Sequence, residues 1–162
     1  MGITTSADGL GCWLVGADGG VFAFGDASYL GGGSGGIPRV GLISTSDGGG
    51  YLLPSSTGQA PGIYGDATAF AGVASSGPMP LAALVTGATM QPAATGYWEA
   101  SSDGGVYAFG SAPFDGSLPD LGVMPARPVI GVADARGGGY WLLGGDGGVY
   151  SFGGAAFYGS AA

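Results

Sequence analysis

The sequence contains no histidine and no lysine, and Glu99 is its only glutamate. Without histidine, nucleophilic catalysis of the Ser-His-Asp or Cys-His kind lacks its general base, and no lysine can take that place. Zinc and other transition-metal sites lose their commonest ligand for the same reason. We therefore expect a protein that is not an enzyme, with no catalytic residues, no metal site and no cofactor.

Charged residues are scarce, at 9% of 162 residues, and 11 acidic residues are balanced by only three arginines. The net charge of −8 repels phosphate backbones and anionic lipid surfaces, which proteins bind chiefly through Lys and Arg. The longest uncharged span, 67–98, is interrupted by Gly and Pro at a density that a lone membrane helix does not tolerate. We expect no nucleic-acid partner and no membrane insertion.

Glycine, in contrast, is abundant, and its spacing reveals a repeat. The stretch 139–153 contains two short apolar runs joined by a Gly-Gly-Asp-Gly-Gly loop, a pattern typical of a β-hairpin. The same pattern returns at 11–25 and 96–110, and a divergent copy occupies 50–65. The resulting spacings of 39, 46 and 43 residues lie in the range of propeller blades built from four strands.

The copies divide a single domain, 1–162, into repeats of approximately 1–37, 38–77, 78–124 and 125–162. Large and small apolar residues alternate along the third strand of each intact copy, so neither face of that strand is polar. Such strands have to be covered on both sides, which stacked sheets achieve. We predict an all-β fold, a four-repeat β-propeller-like domain of short antiparallel strands. The alternative is an open β repeat array that is completed by oligomerisation.

Two repeats depart from the common pattern. In repeat two, Leu52 replaces the usual Trp, and Pro54 interrupts the run, which predicts an edge strand or irregular structure. In repeat three, the pattern predicts a strand at 81–85 followed by an uncharged insertion at 86–95.

The single cysteine, Cys12, has no partner for a disulfide within the chain. It stands where the other copies carry Tyr51, Tyr97 and Tyr140. We interpret it as a small buried apolar residue in place of an aromatic ring rather than as a reactive thiol.

The Asp-Gly-Gly turns that recur between strands have a local explanation. Asp and Gly adopt the positive φ values of tight turns, and an Asp carboxylate accepts hydrogen bonds from its own turn backbone. Calcium binding is the alternative, but each turn supplies one carboxylate and lacks the alternating Asp run of an EF-hand loop. We interpret the turns as structural.

The phrases Gly-Tyr-Trp-Leu, Asp-Gly-Gly-Val-Tyr-Ser-Phe-Gly and Phe-Tyr-Gly-Ser together resemble a Gly-rich tandem repeat. That repeat occurs in secreted and surface proteins of actinobacteria and in structural proteins of their phages. The resemblance covers all four repeats, although repeat two departs from it in its core. It implies a propeller-like fold and an extracellular, cell-surface or virion location, and it supplies no catalytic residue.

Binding is the function class that remains. The recurring aromatic residues are Trp13, Tyr97, Trp98, Tyr140 and Trp141. Aromatic faces beside Asp hold neutral sugar rings, whereas recurrence at equivalent internal positions favours a role in the packed core.

Function tends to lie where a repeat departs from its template. The candidate ligand-binding residues on this ground are Glu99, Gln91 in the insertion 86–95, and Thr57 and Gln59 in the loop 55–62. Trp98 is added to them from the recurring aromatic residues. Glu99 replaces a template Leu, but one carboxylate is not the pair that glycoside hydrolysis requires. We expect a non-catalytic extracellular binding or adhesion module for a cell-envelope polysaccharide or a protein partner. The alternative is a structural subunit of a virion or cell-surface assembly, and either function is compatible with an oligomer.

Overall fold

The computed structural model describes residues 1–33, 36–67, 83–91 and 96–162. These residues form twelve short strands in four separate antiparallel sheets, in each of which consecutive strands are neighbours. Sheet 1 contains β1 (Gly2–Thr5), β2 (Cys12–Val15) and β3 (Val21–Phe24). Sheet 2 contains β4 (Ile43–Ser44), β5 (Gly50–Leu53) and β6 (Gly62–Gly65). Sheet 3 contains β7 (Val85–Met90), β8 (Gly96–Ser101) and β9 (Val106–Gly110). Sheet 4 contains β10 (Val129–Asp134), β11 (Tyr140–Gly144) and β12 (Val149–Phe152).

This architecture confirms the all-β, four-repeat prediction, but each sheet has three strands in the described part of the chain rather than four. The segment after the third strand is instead held by an indole. Trp13 Nε1 donates to the carbonyl oxygen of Ser28 at 2.8 Å, and Trp98 Nε1 donates to that of Pro113 at 2.7 Å. In repeats one, three and four the prediction of a fourth strand was wrong, because an indole rather than a strand ladder holds this segment; in repeat two the segment after residue 67 lies outside the described residues.

Repeats two and three also differ from expectation. β5 is the middle strand of sheet 2 and not an edge strand. Its pairing ends at Leu53, so Pro54 lies beyond the ladder and removes no hydrogen bond from it. β7 runs from Val85 to Met90, so most of the predicted insertion that lies within the described residues is strand. A Cβ added to Gly87 would lie 3.0 Å from the Gly131 Cα, so sheets 3 and 4 approach too closely there for a side chain. Residues 81–82 and 92–95 lie outside the described part.

The Asp-Gly-Gly turns use the hydrogen bonds that the sequence predicts. In five of the hairpin turns an Asp carboxylate accepts the backbone N–H two residues ahead. The pairs are Asp8 with Leu10, Asp18 with Gly20, Asp47 with Gly49, Asp103 with Gly105, and Asp146 with Gly148. The carboxylates are therefore part of the turn structure.

The sheets stack face to face through aromatic pairs. The Trp13 ring centroid lies 5.8 Å from that of Tyr51 in the next sheet, and the Trp98 centroid lies 5.5 Å from that of Tyr140. Between sheets 2 and 3, Leu52 takes the position of the Trp and packs in one cluster with Tyr97. All these side chains are buried. The interpretation of these residues as the core between sheets is confirmed.

Two of the three stacking tyrosines also make hydrogen bonds across the interface. Tyr51 Oη donates to the Gly31 carbonyl at 2.5 Å and accepts from the Leu30 amide at 3.1 Å. Tyr140 Oη bonds in the same way to the next connection, donating at 2.5 Å to Gly116. The Tyr97 hydroxyl is buried and has no hydrogen-bond partner among the described residues.

These three tyrosines provide a matched set of variants. We expect Tyr140→Phe to lower the free energy of unfolding by about 1–2 kcal/mol, because the partly buried Gly116 carbonyl loses its donor. Tyr97→Phe should leave stability unchanged or raise it, since it removes a buried hydroxyl that has no hydrogen-bond partner among the described residues. Urea unfolding of both variants measures the difference, and equal losses would contradict this hydrogen-bond assignment.

The stack is open at both ends, because the four sheets do not close into a ring. The outer face of sheet 1 exposes Ile3, Phe22 and Phe24, and Cys12 lies half-exposed on the same face. The interpretation of Cys12 as buried was wrong, since none of the four sheets in the described part of the chain covers that side. The outer face of sheet 4 exposes Leu143, and its Trp141 is half-buried.

Candidate functional site

Glu99 lies in the middle of β8, on the face that packs against sheet 2. Side chains alternate along the strand, so Glu99 shares this face with Tyr97. It is 2% exposed. Burial raises the pKa of Glu99 to about 7. Burial also raises the pKa of the Tyr97 hydroxyl, and the Glu99 carboxylate raises it further. The carboxyl is therefore part of the interface between sheets 2 and 3, where it is not open to a ligand from solvent.

Trp98 points to the opposite face of β8 and contacts sheet 4 through Tyr140. The ring is 1% exposed, and its N–H is already used by the Pro113 carbonyl. The structure therefore places Trp98 in the core and gives it no surface for a sugar ring.

The other three predicted residues lie at opposite ends of sheet 3. Gln91 follows the end of β7, and its Oε1 accepts from Ser111 Oγ at 3.0 Å. Thr57, whose hydroxyl lies 2.9 Å from that of Ser55, and the exposed Gln59 lie near the start of β7. A strand of this length spans about 20 Å. The structure therefore does not bring the five candidate residues together into one site.

A groove of about 490 Å³ lies in a different place, beside the hairpin turn of sheet 3. One wall is formed by Ser102 and Asp103, and the other by residues 119–128 of the connection to sheet 4. Met124 in that connection is 91% exposed, and Val123 is also exposed. Arg127 lines the groove as well, so an apolar wall is combined with one cation and one anion.

The connection that builds this groove is held in place by backbone hydrogen bonds. A short 3₁₀ helix, Pro119–Leu121, ends at Gly122 in the left-handed region (φ 66°). The buried Leu118 anchors it, donating its N–H to the Gly104 carbonyl at 3.1 Å. At the other end, the Val129 N–H donates to the Ser102 carbonyl at 2.9 Å. The groove walls are therefore tied to sheet 3 on both sides.

Asp103 provides the negative charge of the groove. Burial alone would raise its pKa, but the Ser101 hydroxyl at 2.5 Å and the Gly105 amide at 3.0 Å both donate to Oδ1. The net result is a pKa below the usual value. Asp103 is therefore ionised at neutral pH, and its second oxygen remains available to a partner's donor.

The groove does not follow from the repeat boundaries, in which residues 118–124 form the tail of repeat three. The sequence does contain a sign of this connection. The template of repeat three ends at Gly116-Ser117, and repeat four begins only after a further apolar, Pro-rich run. A run of the same length, with Pro78 and Pro80 on either side of Met79, lies between repeats two and three, whereas the connection between repeats one and two is shorter and Gly-rich.

A second pocket, of about 400 Å³, lies at the open end of sheet 4 and contains aromatic residues. Trp141, Tyr158, Asp134 and Arg136 line it. This composition would suit a sugar ring. However, the equivalent tryptophans Trp13 and Trp98 are each covered by a tyrosine of the following sheet. The pocket therefore belongs to a stacking face.

Within the described ranges there is no cluster of three or more His, Cys, Asp or Glu side chains that could hold a metal ion. No helix in the same part of the chain is long and apolar enough to span a membrane.

Comparison with known proteins defines the fold only. No protein-family model and no curated protein sequence matches this chain. Among solved structures, the chain is similar to one described as "Structure of U3-55K", with a TM-score of 0.60 and 14% sequence identity. The match covers 93% of this chain and 47% of that chain. The chain thus spans about half the length of this structural neighbour.

Proposed function

We propose that the protein is a non-catalytic recognition module that binds an extended segment of a protein partner in the groove beside Met124. The observation that carries this proposal is the groove itself, which combines a mostly apolar wall with Arg127 and Asp103. Binding sites commonly have this composition, with apolar contact supplying affinity and a few polar groups fixing orientation.

A protein partner is favoured over a glycan by the type of side chain in the groove. No aromatic ring lines it, and stacking on aromatic rings is how proteins hold neutral sugars. Met124 is flexible and polarisable, so it adapts to varied apolar side chains. Arg127 and Asp103 pair with opposite charges or with backbone groups of a peptide.

The setting that we propose is extracellular, at a cell surface or on a virion, and it rests on the resemblance of the repeats to secreted and phage proteins. A second candidate function is a structural subunit of such an assembly. The exposed apolar faces at the two ends of the stack favour it, since such faces are typical of surfaces that associate.

Selection of peptides from a displayed random library on the immobilised protein tests the proposed site. We expect Met124→Ala and Arg127→Ala each to weaken binding of a selected peptide about tenfold, as measured by calorimetry. The matched controls are Leu10→Ala, which truncates another exposed apolar side chain, and Arg136→Ala, which removes the same charge elsewhere.

Both controls should bind like the wild type. The proposal fails if no peptide is selected, or if the chain binds a cell-wall polysaccharide and Trp141→Ala, but not Met124→Ala, abolishes that binding.

A further inference from the structure

We infer that the outer face of sheet 4 docks onto the outer face of sheet 1 of a second copy of this chain, so that two chains form a ring of eight sheets. This contact is separate from the groove beside Met124, and it does not depend on the proposed recognition function.

The outer face of sheet 4 repeats the face that sheet 1 presents to sheet 2. Trp141 occupies the repeat position of Trp13, and Leu143 occupies that of Val15. Trp13 and Val15 are buried in a cluster with Tyr51 and Leu53 of the next sheet. Leu143 is 42% exposed. Sheet 4 therefore presents a donor face that no sheet among the described residues receives.

The outer face of sheet 1 repeats the receiving face. Cys12 and Leu14 occupy the positions of Tyr51 and Leu53, the residues of sheet 2 that receive Trp13. Phe22 and Phe24 lie on the same face, because they pair with Leu14 and Cys12 across the strands, and they are 60% and 51% exposed. So large an exposed aromatic surface on a regular sheet indicates a partner.

The one substitution in the receiving face is matched by a change in the donor face. Cys12 lacks the ring that Tyr51 and Tyr140 place against a tryptophan. Tyr158, next to Trp141 in the same chain, lies 6.2 Å from it at 52°, close to the 5.5 Å and 54° of Trp98 with Tyr140. The small Cys12 side chain leaves room for the Tyr158 ring, so the contact retains an aromatic pair.

The number of sheets favours a closed dimer over an open chain of copies. A three-stranded sheet with four-residue strands has a face on the order of 200 Å², so one contact buries about 400 Å² of the two chains together and two contacts about 800 Å². Since standard interfaces bury about 1,200 Å² or more, a single contact is expected to hold two chains only weakly. A ring makes two such contacts at once, and each raises the effective concentration of the other. Eight sheets lie within the four to eight blades of propellers. The chain covers 47% of the similar solved structure, so that structure is about twice as long as this chain.

Charged substitutions on the two faces test the inference by sedimentation equilibrium. We expect the wild type to form dimers and no larger species. We expect Phe22→Asp and Leu143→Asp each to raise the dissociation constant of the dimer about 100-fold or more, since each variant places a carboxylate in an apolar contact. Met124→Asp adds the same charge to an exposed apolar residue outside both faces and should leave the dimer intact. Circular dichroism confirms that each variant is folded.

Mixing the two variants identifies the geometry of the contact. A mixture of Phe22→Asp and Leu143→Asp chains contains one intact pair of faces, so we expect it to recover a weaker heterodimer that neither variant forms alone.

The inference is overturned by a wild type that stays monomeric at millimolar concentration. It is also overturned by a dimer that Leu143→Asp does not affect, which would show that two copies of sheet 1 pair with each other. Loss of peptide binding by the groove variants would leave these results unchanged, so the two proposals fail separately.

Discussion

Replacing Glu99 with leucine should remove a pH-dependent loss of stability of about 3 kcal/mol between pH 4.5 and pH 8. Burial raises the pKa of Glu99 from 4.5 to about 7 in the folded protein. The unfolded chain therefore releases its proton at a lower pH than the folded chain does. Stability contributed by the protonated carboxyl is fully present below pH 4.5, falls as the pH rises towards 7, and levels off above it.

Glu99→Leu restores the residue that the other repeats carry at this position, as Leu14, Leu53 and Leu142. We expect the variant to be more stable than the wild type by about 3 kcal/mol at pH 8, and by much less at pH 4.5. Guanidinium unfolding at the two pH values measures both differences. Glu99→Gln is the matched control, since it removes the titration while keeping a polar side chain of the same shape.

Both variants should lose the same pH-dependent component, and only the leucine variant should gain additional stability from apolar packing. If the difference between wild type and Glu99→Gln does not change with pH, Glu99 titrates normally and is not buried in the interface between sheets 2 and 3.

Replacing Trp98 with alanine should lower the free energy of unfolding by about 3–5 kcal/mol, the range for removing a large buried aromatic side chain. Trp98 fills the space between sheets 3 and 4 against Tyr140. The variant also removes the donor for the Pro113 carbonyl. An effect of this size would partly unfold a domain only if its stability lies near the lower end, about 5 kcal/mol, of the usual range.

Trp141→Ala is the matched control. Its indole makes the same hydrogen bond, to Ala156 at 2.8 Å, but none of the sheets in the described ranges covers it. In a monomeric background such as Leu143→Asp, we expect a loss of only about 1 kcal/mol. Equal losses for the two tryptophans would mean that Trp141 is covered within its own chain, contrary to the open stack described above.

Repeats, strands and turns could be predicted from the sequence because local chemistry determines them. The Asp-Gly-Gly turns bond their own backbone, and Val21–Phe24 forms its strand where the alternation predicts it. The absence of a fourth strand could not be predicted, because it depends on an indole reaching a segment 15 residues away, from Trp13 to Ser28.

The predicted site residues show the same limit. Glu99 was singled out as a charged residue at an apolar position, but the sequence does not show which face of β8 is covered. That face is covered by sheet 2, so the departure from the template lies in an interface rather than in a ligand site. The groove beside Met124 is formed by contacts between a turn and a connection, and composition alone does not reveal such a contact.

The separation of the two end faces within one chain tests the open stack most directly. Cys12 is the only cysteine and lies on the outer face of sheet 1, so spin labels on Cys12 and on Leu143→Cys report this distance by pulsed electron resonance. Dilution with unlabelled wild-type chain restricts the signal to pairs within one chain. Sheets pack about 10 Å apart, so three successive interfaces along a curved stack predict a distance above about 20 Å. A single distance near about 10 Å, the spacing of neighbouring sheets, would show that the four sheets close into a ring by themselves.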